Sequence, residues 1–217
     1  MRAAKLPYFE RVLLFAFFFS FGILFYRCLF TLSLNYTFFL WNLLIAFVPY
    51  IISKRLSTCK TLNAKALFLL TLWLLFFPGC IYLFTDMLQM HETNFPIIYD
   101  VCMFLSFAAT GMLPGLMSLK KVETFLSHHI SGLFVKLSIL LSIFLSSYNI
   151  VLVRFLHLKS WNIVADCKRM LHASEKDILF PESNMHTWIS IFILVLLIDL
   201  VYAGFKQLNR FERVRII

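Results

Sequence analysis

Charge is scarce in this sequence, since only 14% of its 217 residues are Asp, Glu, Lys or Arg. An average soluble domain contains about 25% charged residues. Here 61% of the residues are hydrophobic, and the chain contains 26 Phe. This composition excludes an ordinary soluble domain and predicts a protein that lies in a lipid bilayer.

Familiar catalytic and metal-binding motifs are also missing. The sequence contains no G-x-S-x-G, H-E-x-x-H or Walker-type loop, so common hydrolase and nucleotide chemistries lack support. Its five cysteines form no C-x-x-C pair, so neither a zinc site nor a redox motif is indicated. Cys80 and Cys102 have similar predicted depths and could meet, but buried free thiols are favoured. We therefore predict no metal site and no cofactor.

Six hydrophobic stretches are long enough to cross a membrane, which requires about 20 mostly apolar residues. They cover residues 12–30, 36–53, 66–85, 97–118, 132–153 and 187–205. The first stretch follows a basic segment but reaches Arg27 without a small-residue cleavage site, so we expect a retained helix rather than a signal peptide. The sequence thus predicts an all-α, polytopic membrane protein, a bundle of about six transmembrane helices, with residues 1–217 in a single transmembrane domain.

The distribution of Lys and Arg orients these stretches. Thirteen lie on the side of the N-terminus and six on the opposite side, where the third loop has none. By the positive-inside rule, both termini then face the cytoplasm. The formal charge of +9 is explained by this topology and by attraction to anionic headgroups. We therefore expect membrane lipids, and no nucleic acid, as partners.

Two acidic residues, Asp86 and Asp100, stand at the outer ends of the third and fourth stretches. A carboxylate near lipid costs a few kcal/mol unless it is paired, hydrated or neutralised, so an acid there is a candidate for function. Both are candidate catalytic residues, acting as general base. Six further side chains at the same predicted depth are candidate substrate-binding residues: Asn42, Tyr82, Thr85, Tyr99, Arg154 and Trp161.

Three interpretations of this outer cluster stay open. Either acid could pair with Arg154, with Arg27 as a second base, and merely fasten helix ends. Alternatively, the cluster could form an outward-facing pocket in which Arg154 holds an anionic headgroup. In the third interpretation the groups simply extend into water.

The loop between the fifth and sixth stretches contains a further helical pattern. Apolar residues recur at helical spacing from Trp161 to Leu171, with charged residues turned to the other face. This pattern predicts an amphipathic interfacial helix that lies on the membrane and covers the outer cluster.

Two charges lie inside hydrophobic stretches, near the cytoplasmic side. Lys136 is about one turn from the start of the fifth stretch, and Asp199 is six residues from the end of the sixth. Their depths are similar enough for a structural ion pair, which we favour over a proton relay through Asp199.

Small residues and proline predict how the helices meet. Gly111 and Gly115 have the G-x-x-x-G spacing of close helix contacts. Asn42, Ala46, Pro49 and Ser53 form a stripe on the second stretch, and Ser138, Ser142 and Ser146 form another on the fifth. The pair at residues 78 and 79, Pro-Gly, predicts a helix break in the third stretch that widens the outer vestibule.

Four runs of the sequence carry a family resemblance: WNLLIAFVPYIIS, LWLLFFPGCIYLFTDMLQM, IIYDVCMFLSFAATG and RFLHLKSWN. They resemble successive signatures of an uncharacterised bacterial family of integral membrane proteins, domain-of-unknown-function family 1361. The likeness spans most of residues 40 to 165. It implies a six-helix-like fold in the bacterial cytoplasmic (inner) membrane, and it brings no known activity.

The most specific signature reads close to L-P-N-x-x-Y-x-x-T-D-x-x-H in the family. The matching residues are Pro78, Tyr82, Thr85 and Asp86, and the departures are Gly79 and Gln89. An Asp and a His at this spacing could ligate Zn or Fe, but Gln is a poor ligand. A second signature tends toward R-F-x-R-x-N-S-W-D; here Arg154, Phe155, Ser160 and Trp161 match, whereas His157, Lys159 and Asn162 depart.

Three classes of function remain, and the sequence does not decide whether the protein is an enzyme. The outer pocket could bind or process a lipid-linked or periplasmic polar substrate. Alternatively, the chain is a non-enzymatic accessory subunit or assembly factor with a membrane protein partner. Transport of a small solute or protons is disfavoured, because the first, third and sixth stretches have almost no polar groups at mid-depth. An open cavity would favour the first class, and a cluster closed by mutual pairing would favour the second.

Overall fold

A computed structural model describes residues 8–32, 34, 36–86, 96–155 and 185–215, with side chains through Arg154 and Leu208 in the last two segments. These residues form helices without any strand. The helices are α1 (Tyr8–Thr31), α2 (Phe38–Leu56), α3 (Ala64–Phe76), α4 (Pro78–Thr85), α5 (Ile97–Ser127), α6 (Gly132–Phe155) and α7 (Met185–Arg215). The predicted interfacial helix, with Trp161, lies outside the described residues.

Six segments are long and apolar enough to cross a membrane, with α3 and α4 together forming the third. The predicted all-α, six-span membrane fold is therefore confirmed. Two helices are longer than predicted: α7 continues from the predicted end at residue 205 to Arg215, and α5 continues from the predicted end at residue 118 to Ser127. Lys120, Lys121 and Glu123 end the apolar stretch, but Lys and Glu are good helix formers, so the helix continues beyond the bilayer core. At 31 residues it is about 46 Å long, against a hydrocarbon core of about 30 Å.

The chain divides into two compact units, Met1–Phe125 and Leu126–Ile217. In the first unit, α2 packs against both α3 and α4. The predicted stripe on α2 is buried, and Ala46 and Ser53 have no exposed surface. The core around this stripe contains the fully buried side chains of Leu43, Met103 and Phe107.

The predicted break in the third span is confirmed. Helix α3 ends at Phe76 and α4 begins at Pro78. Proline lacks an N–H group, so it is tolerated at the first position of a helix and interrupts the preceding one. By contrast, α2 and α5 continue through Pro49 and Pro114.

The G-x-x-x-G spacing on α5 marks a close contact with α4. A methyl group at Gly115 would lie 2.7 Å from Cys80 Cβ, and one at Gly111 would overlap the end of the Leu83 side chain. The Cys80 thiol in turn donates to the Ala46 carbonyl oxygen, at 3.1 Å. Glycine therefore lets α5 approach α4 closely, as predicted.

In the second unit, α6 packs against α7. The hydroxyls of the serine stripe bond within α6: Ser142 donates to the Ser138 carbonyl and Ser146 to the Ser142 carbonyl, both at 2.8 Å. The expected pair between Lys136 and Asp199 is not formed within the chain, because both side chains are exposed and neither belongs to an ion pair among the described residues. Their depths match, but the two side chains do not meet.

Candidate functional site

The buried face of α1 includes a cationic side chain, that of Arg27, in the core of the first unit. Leu13, Ser20, Leu24 and Arg27 are the buried residues of this helix, and their spacing places them on one face. Arg27 lies near the end of α1, where only 3% of the residue is exposed. Such a burial of a charge is tolerable only with a partner.

That partner is Asp100 in the first turn of α5. Arg27 Nε donates to Asp100 Oδ1 at 2.5 Å, and Arg27 Nη2 donates to Oδ2 at 3.1 Å. Asp100 is 2% exposed. This two-bond arrangement matches the planar guanidinium to the planar carboxylate and is the strongest form of such a pair. Arg27 therefore neutralises Asp100 within the first unit. Of the two bases that were predicted as possible partners, Arg154 and Arg27, it is the second.

An aromatic ring covers the guanidinium of this pair. The Arg27 Cζ atom lies 4.0 Å from the centre of the Tyr36 ring. Tyr36 packs edge-on against Phe104, at 5.7 Å between ring centres, and stacks on Phe39 at 5.9 Å. Cation–π attraction is stronger away from water. Tyr36 was not among the predicted site residues, because no motif distinguishes it from the other aromatic residues near the ends of the spans.

The second acid, Asp86, directly follows α4 and is 1% exposed. Its backbone N–H donates to the Tyr82 carbonyl, which completes the last helical turn. Asn42 of α2, also buried, approaches with its Nδ2 at 3.4 Å from Asp86 Oδ2. This distance is long for an N–H···O bond, whose usual range is about 2.7–3.2 Å.

Both acids belong to the same end of the first unit, and the first turns of α2 connect them. Phe39 and Asn42 are one turn apart on α2 and share a face. Phe39 contacts Phe104, which is one turn after Asp100, with ring centres 4.8 Å apart, while Asn42 contacts Asp86. Because α2 and α5 both begin at this end, Asp100 lies one turn before this ring contact and Asn42 one turn after it, so Asn42 and Asp86 lie about 10 Å further along the helices than Asp100.

The hydroxyl groups of two other predicted site residues are used to hold the fold. Tyr99 donates to the Ile23 carbonyl oxygen of α1 at 2.6 Å. Thr85 donates to the Tyr82 carbonyl oxygen at 2.8 Å, within its own helix. The Tyr82 side chain is half-buried. Each bond satisfies a backbone carbonyl or a helix turn and leaves less hydrogen-bonding capacity for a ligand.

Of the remaining two predicted site residues, one belongs to the second unit and the other is outside the described part of the chain. Arg154 is half-buried in the last turn of α6, in the second unit. Trp161 lies outside the described residues. The proposed approach of Arg154 to the acids therefore stays a prediction.

The two acids differ in the groups that they contact. Both Asp100 oxygens are engaged by Arg27, so Asp100 could act as a base only by leaving its cation in the core. Asp86 has the Asn42 amide among its contacts, and a carboxylate can accept bonds from hydroxyl or ammonium groups. In the part of the chain that the structure describes, no group of three or more His, Cys, Asp or Glu could hold a metal ion.

A protein-family model matches residues 41–201, from the start of α2 into α7. Its description is "Protein of unknown function (DUF1361)". Comparison with curated proteins and with solved structures finds no match. The match covers more than half of the chain and includes Asn42, Asp86, Asp100 and Arg154, whereas Arg27 lies before it.

Proposed function

The chain belongs to the DUF1361 family, and we propose that it is a non-enzymatic membrane protein, an accessory subunit or assembly factor that acts by binding a membrane protein partner. The observation that carries this proposal is the closed Arg27–Asp100 pair. An acid whose two oxygens are already bonded to a buried guanidinium is suited to stabilising the packing of the two helices that carry the pair, α1 and α5. It is poorly suited to repeated proton transfer.

Separating Arg27 from Asp100 is energetically costly. Removing one member of a buried ion pair costs about 3–5 kcal/mol, because the other charge stays in the core. A catalytic cycle that protonates Asp100 would meet this cost at each turnover. The pair is therefore better explained as a structural ion pair that holds α1 against α5.

The surface offered to a partner would include the exposed side of α1. This side carries large aromatic residues that stack along the helix, with ring centres of Phe15 and Phe19 6.4 Å apart and those of Phe21 and Phe25 6.2 Å apart. Lipid tails are as apolar as these rings, so association in the membrane depends on packing rather than on the hydrophobic effect. Stacked rings present a stiff surface for such packing.

A second candidate function is favoured by the burial of an acid, Asp86, at the end of α4 beside the Asn42 amide. In this case the outer cluster binds or processes a lipid-linked or periplasmic polar substrate. Asp86 would accept a bond from a substrate hydroxyl or ammonium group, with Asp100 as the second acid. The other contacting residues would be Asn42, Tyr82, Thr85, Tyr99, Arg154 and Trp161.

One pair of variants separates these two functions: Asp86→Asn and Arg154→Ala, each tested for complementation of a deletion strain. For an accessory protein we expect Asp86→Asn to lower thermal stability by about 1–3 kcal/mol, because a charged hydrogen-bond acceptor is lost inside the core. Complementation should then fall only in proportion to the amount of folded protein. The measurements are membrane-fraction yield, thermal unfolding in detergent and growth.

The matched control is Lys65→Gln, which removes an exposed charge at the start of α3 and should change neither yield nor growth. If Asp86→Asn and Arg154→Ala both stay folded at wild-type levels while complementation is abolished, the accessory function is wrong. The headgroup-binding function would then take its place.

We also propose that the protein lies in the cytoplasmic membrane of a bacterium with both termini in the cytoplasm. The thirteen-to-six distribution of Lys and Arg supports this topology. Basic residues near the inner ends of the helices, such as Lys54 and Lys121, would then attract anionic lipid headgroups.

This topology predicts which cysteine an impermeant thiol reagent reaches on intact cells. Cys167 should be labelled, and Cys59, in the connection between α2 and α3, should be labelled only after the membrane is opened. Single-cysteine variants are required, because Cys102 is also exposed. Labelling of Cys59 but not Cys167 on intact cells would reverse the orientation.

A further inference from the structure

Asp199 stands on a face of α7 that is exposed and otherwise apolar. The carboxylate is exposed, and the leucines beside it, Leu196 and Leu200, are 69% and 71% exposed. Phe192, two turns earlier on the same side, is exposed as well. An acid in the interior of a span is costly unless it is paired or hydrated, so it marks a site of interaction.

Lys136 of α6 is likewise an exposed charge among exposed apolar side chains. Its side chain is exposed, and so are those of the next residue, Leu137, and of the residues one turn before and after it, Leu133 and Leu140. The second unit therefore carries one base and one acid on exposed, largely apolar helix surfaces. Among the residues that the structure describes, neither takes part in an ion pair.

The two charges have matching depths. Successive spans cross the membrane in opposite directions, so the start of α6 and the end of α7 are on the same side. Lys136 is four residues, about 6 Å, beyond the start of α6 at Gly132, and Asp199 is seven residues, about 10 Å, before Lys206. The flexible Lys side chain is long enough to bridge this difference.

We propose that two copies of this chain associate through α6 and α7, with Lys136 of each copy binding Asp199 of the other. A two-fold axis pairs residue i with residue j and, by the same operation, j with i. One copy therefore supplies both charges that the other lacks, at the required depth. A different partner would have to present an acid and a base independently. This inference does not depend on the proposed accessory function, since it uses neither Arg27, Asp86 nor Asp100.

A charge-exchange experiment tests this arrangement with two differently tagged copies expressed together. Lys136→Glu alone should disrupt self-association, because acid faces acid at both contacts, and Asp199→Lys alone should disrupt it with base facing base. In the mixed pair, Lys136→Glu in one copy and Asp199→Lys in the other, both contacts regain opposite charges. We expect co-purification in mild detergent to fall at least about tenfold for either variant with itself and to recover for the mixed pair.

The mixed pair also excludes an ion pair within one chain, because neither variant carries opposite charges at both positions. Lys65→Glu, an equal change of charge outside the second unit, should leave co-purification unchanged. Self-association of either charge variant at the wild-type level would overturn the proposal. So would failure of the mixed pair to recover, or the absence of co-purification in the wild type.

A second measurement covers the case in which the charge variants fold poorly. In a cysteine-free background, Lys136→Cys and Asp199→Cys are placed in separately tagged copies and treated in membranes with a short bismaleimide crosslinker. We expect a crosslinked species that carries both tags, and none when Lys65→Cys replaces Lys136→Cys. Absence of the mixed species would contradict the proposed contact.

Discussion

Replacing Asp100 by alanine is expected to destabilise the protein by about 3–5 kcal/mol and to reduce the yield of folded protein sharply. Arg27 would be left as an unpaired cation at 3% exposure, and arginine cannot lose its charge in proteins. The Tyr36 ring, 4.0 Å from the guanidinium, would offset only a part of this cost. Thermal unfolding in detergent and the yield of monodisperse protein would measure the effect.

The reciprocal change, Arg27→Met, should cost less than Asp100→Ala. A carboxyl group left alone in an apolar site can take up a proton and become neutral, whereas a guanidinium cannot. The double variant Arg27→Met with Asp100→Leu should recover most of the lost stability, because replacing a whole buried ion pair by apolar side chains is often neutral or stabilising. Unfolding of Arg27→Met at a lower temperature than Asp100→Ala would contradict this ranking.

The exposed pair between Glu10 and Lys54 provides the matched control. The Lys54 side chain is 49% exposed and that of Glu10 17%, and ion pairs near water contribute about 0–1 kcal/mol. Glu10→Gln should therefore unfold close to the wild-type temperature. If Asp100→Ala were equally harmless, the buried pair would not be the structural ion pair that the accessory function requires.

The number and type of spans could be predicted from the sequence because they depend on a local property. A run of about 20 apolar residues is sufficient to identify a membrane helix, and Pro78 is sufficient to predict the break between α3 and α4. The predicted end of α5 was wrong because the end of an apolar stretch does not mark the end of a helix. The apolar stretch stops near residue 118, whereas helix formation continues to Ser127, since helix propensity and hydrophobicity are separate properties.

The partner of Asp100 was not predictable to the same degree. Two bases, Arg27 and Arg154, had suitable depths, and depth does not say which helices are neighbours. The contact joins residues 73 positions apart and depends on the packing of α1 against α5. The same limit explains Lys136 and Asp199, whose depths match while their side chains are exposed without an ion pair between them.

Gly115→Ala is expected to destabilise the protein by about 1–3 kcal/mol. Within a helix, Gly→Ala ordinarily stabilises by about 1 kcal/mol, so the expected sign is the reverse of the usual one. The added methyl would lie 2.7 Å from Cys80 Cβ, an atom that moves only with the backbone of α4. Gly111→Ala should cost less, because its methyl meets the flexible end of the Leu83 side chain.

Two further variants isolate this contact. Gly22→Ala is the matched control, since nothing lies within 4 Å of a methyl group at that position of α1, and it should be neutral or stabilising. Cys80→Gly removes the atom that the methyl at position 115 would meet. The double variant Gly115→Ala with Cys80→Gly should therefore be more stable than the sum of the single effects by about 1 kcal/mol or more, as a double-mutant cycle measures. Strict additivity would mean that α4 and α5 do not meet at these two residues.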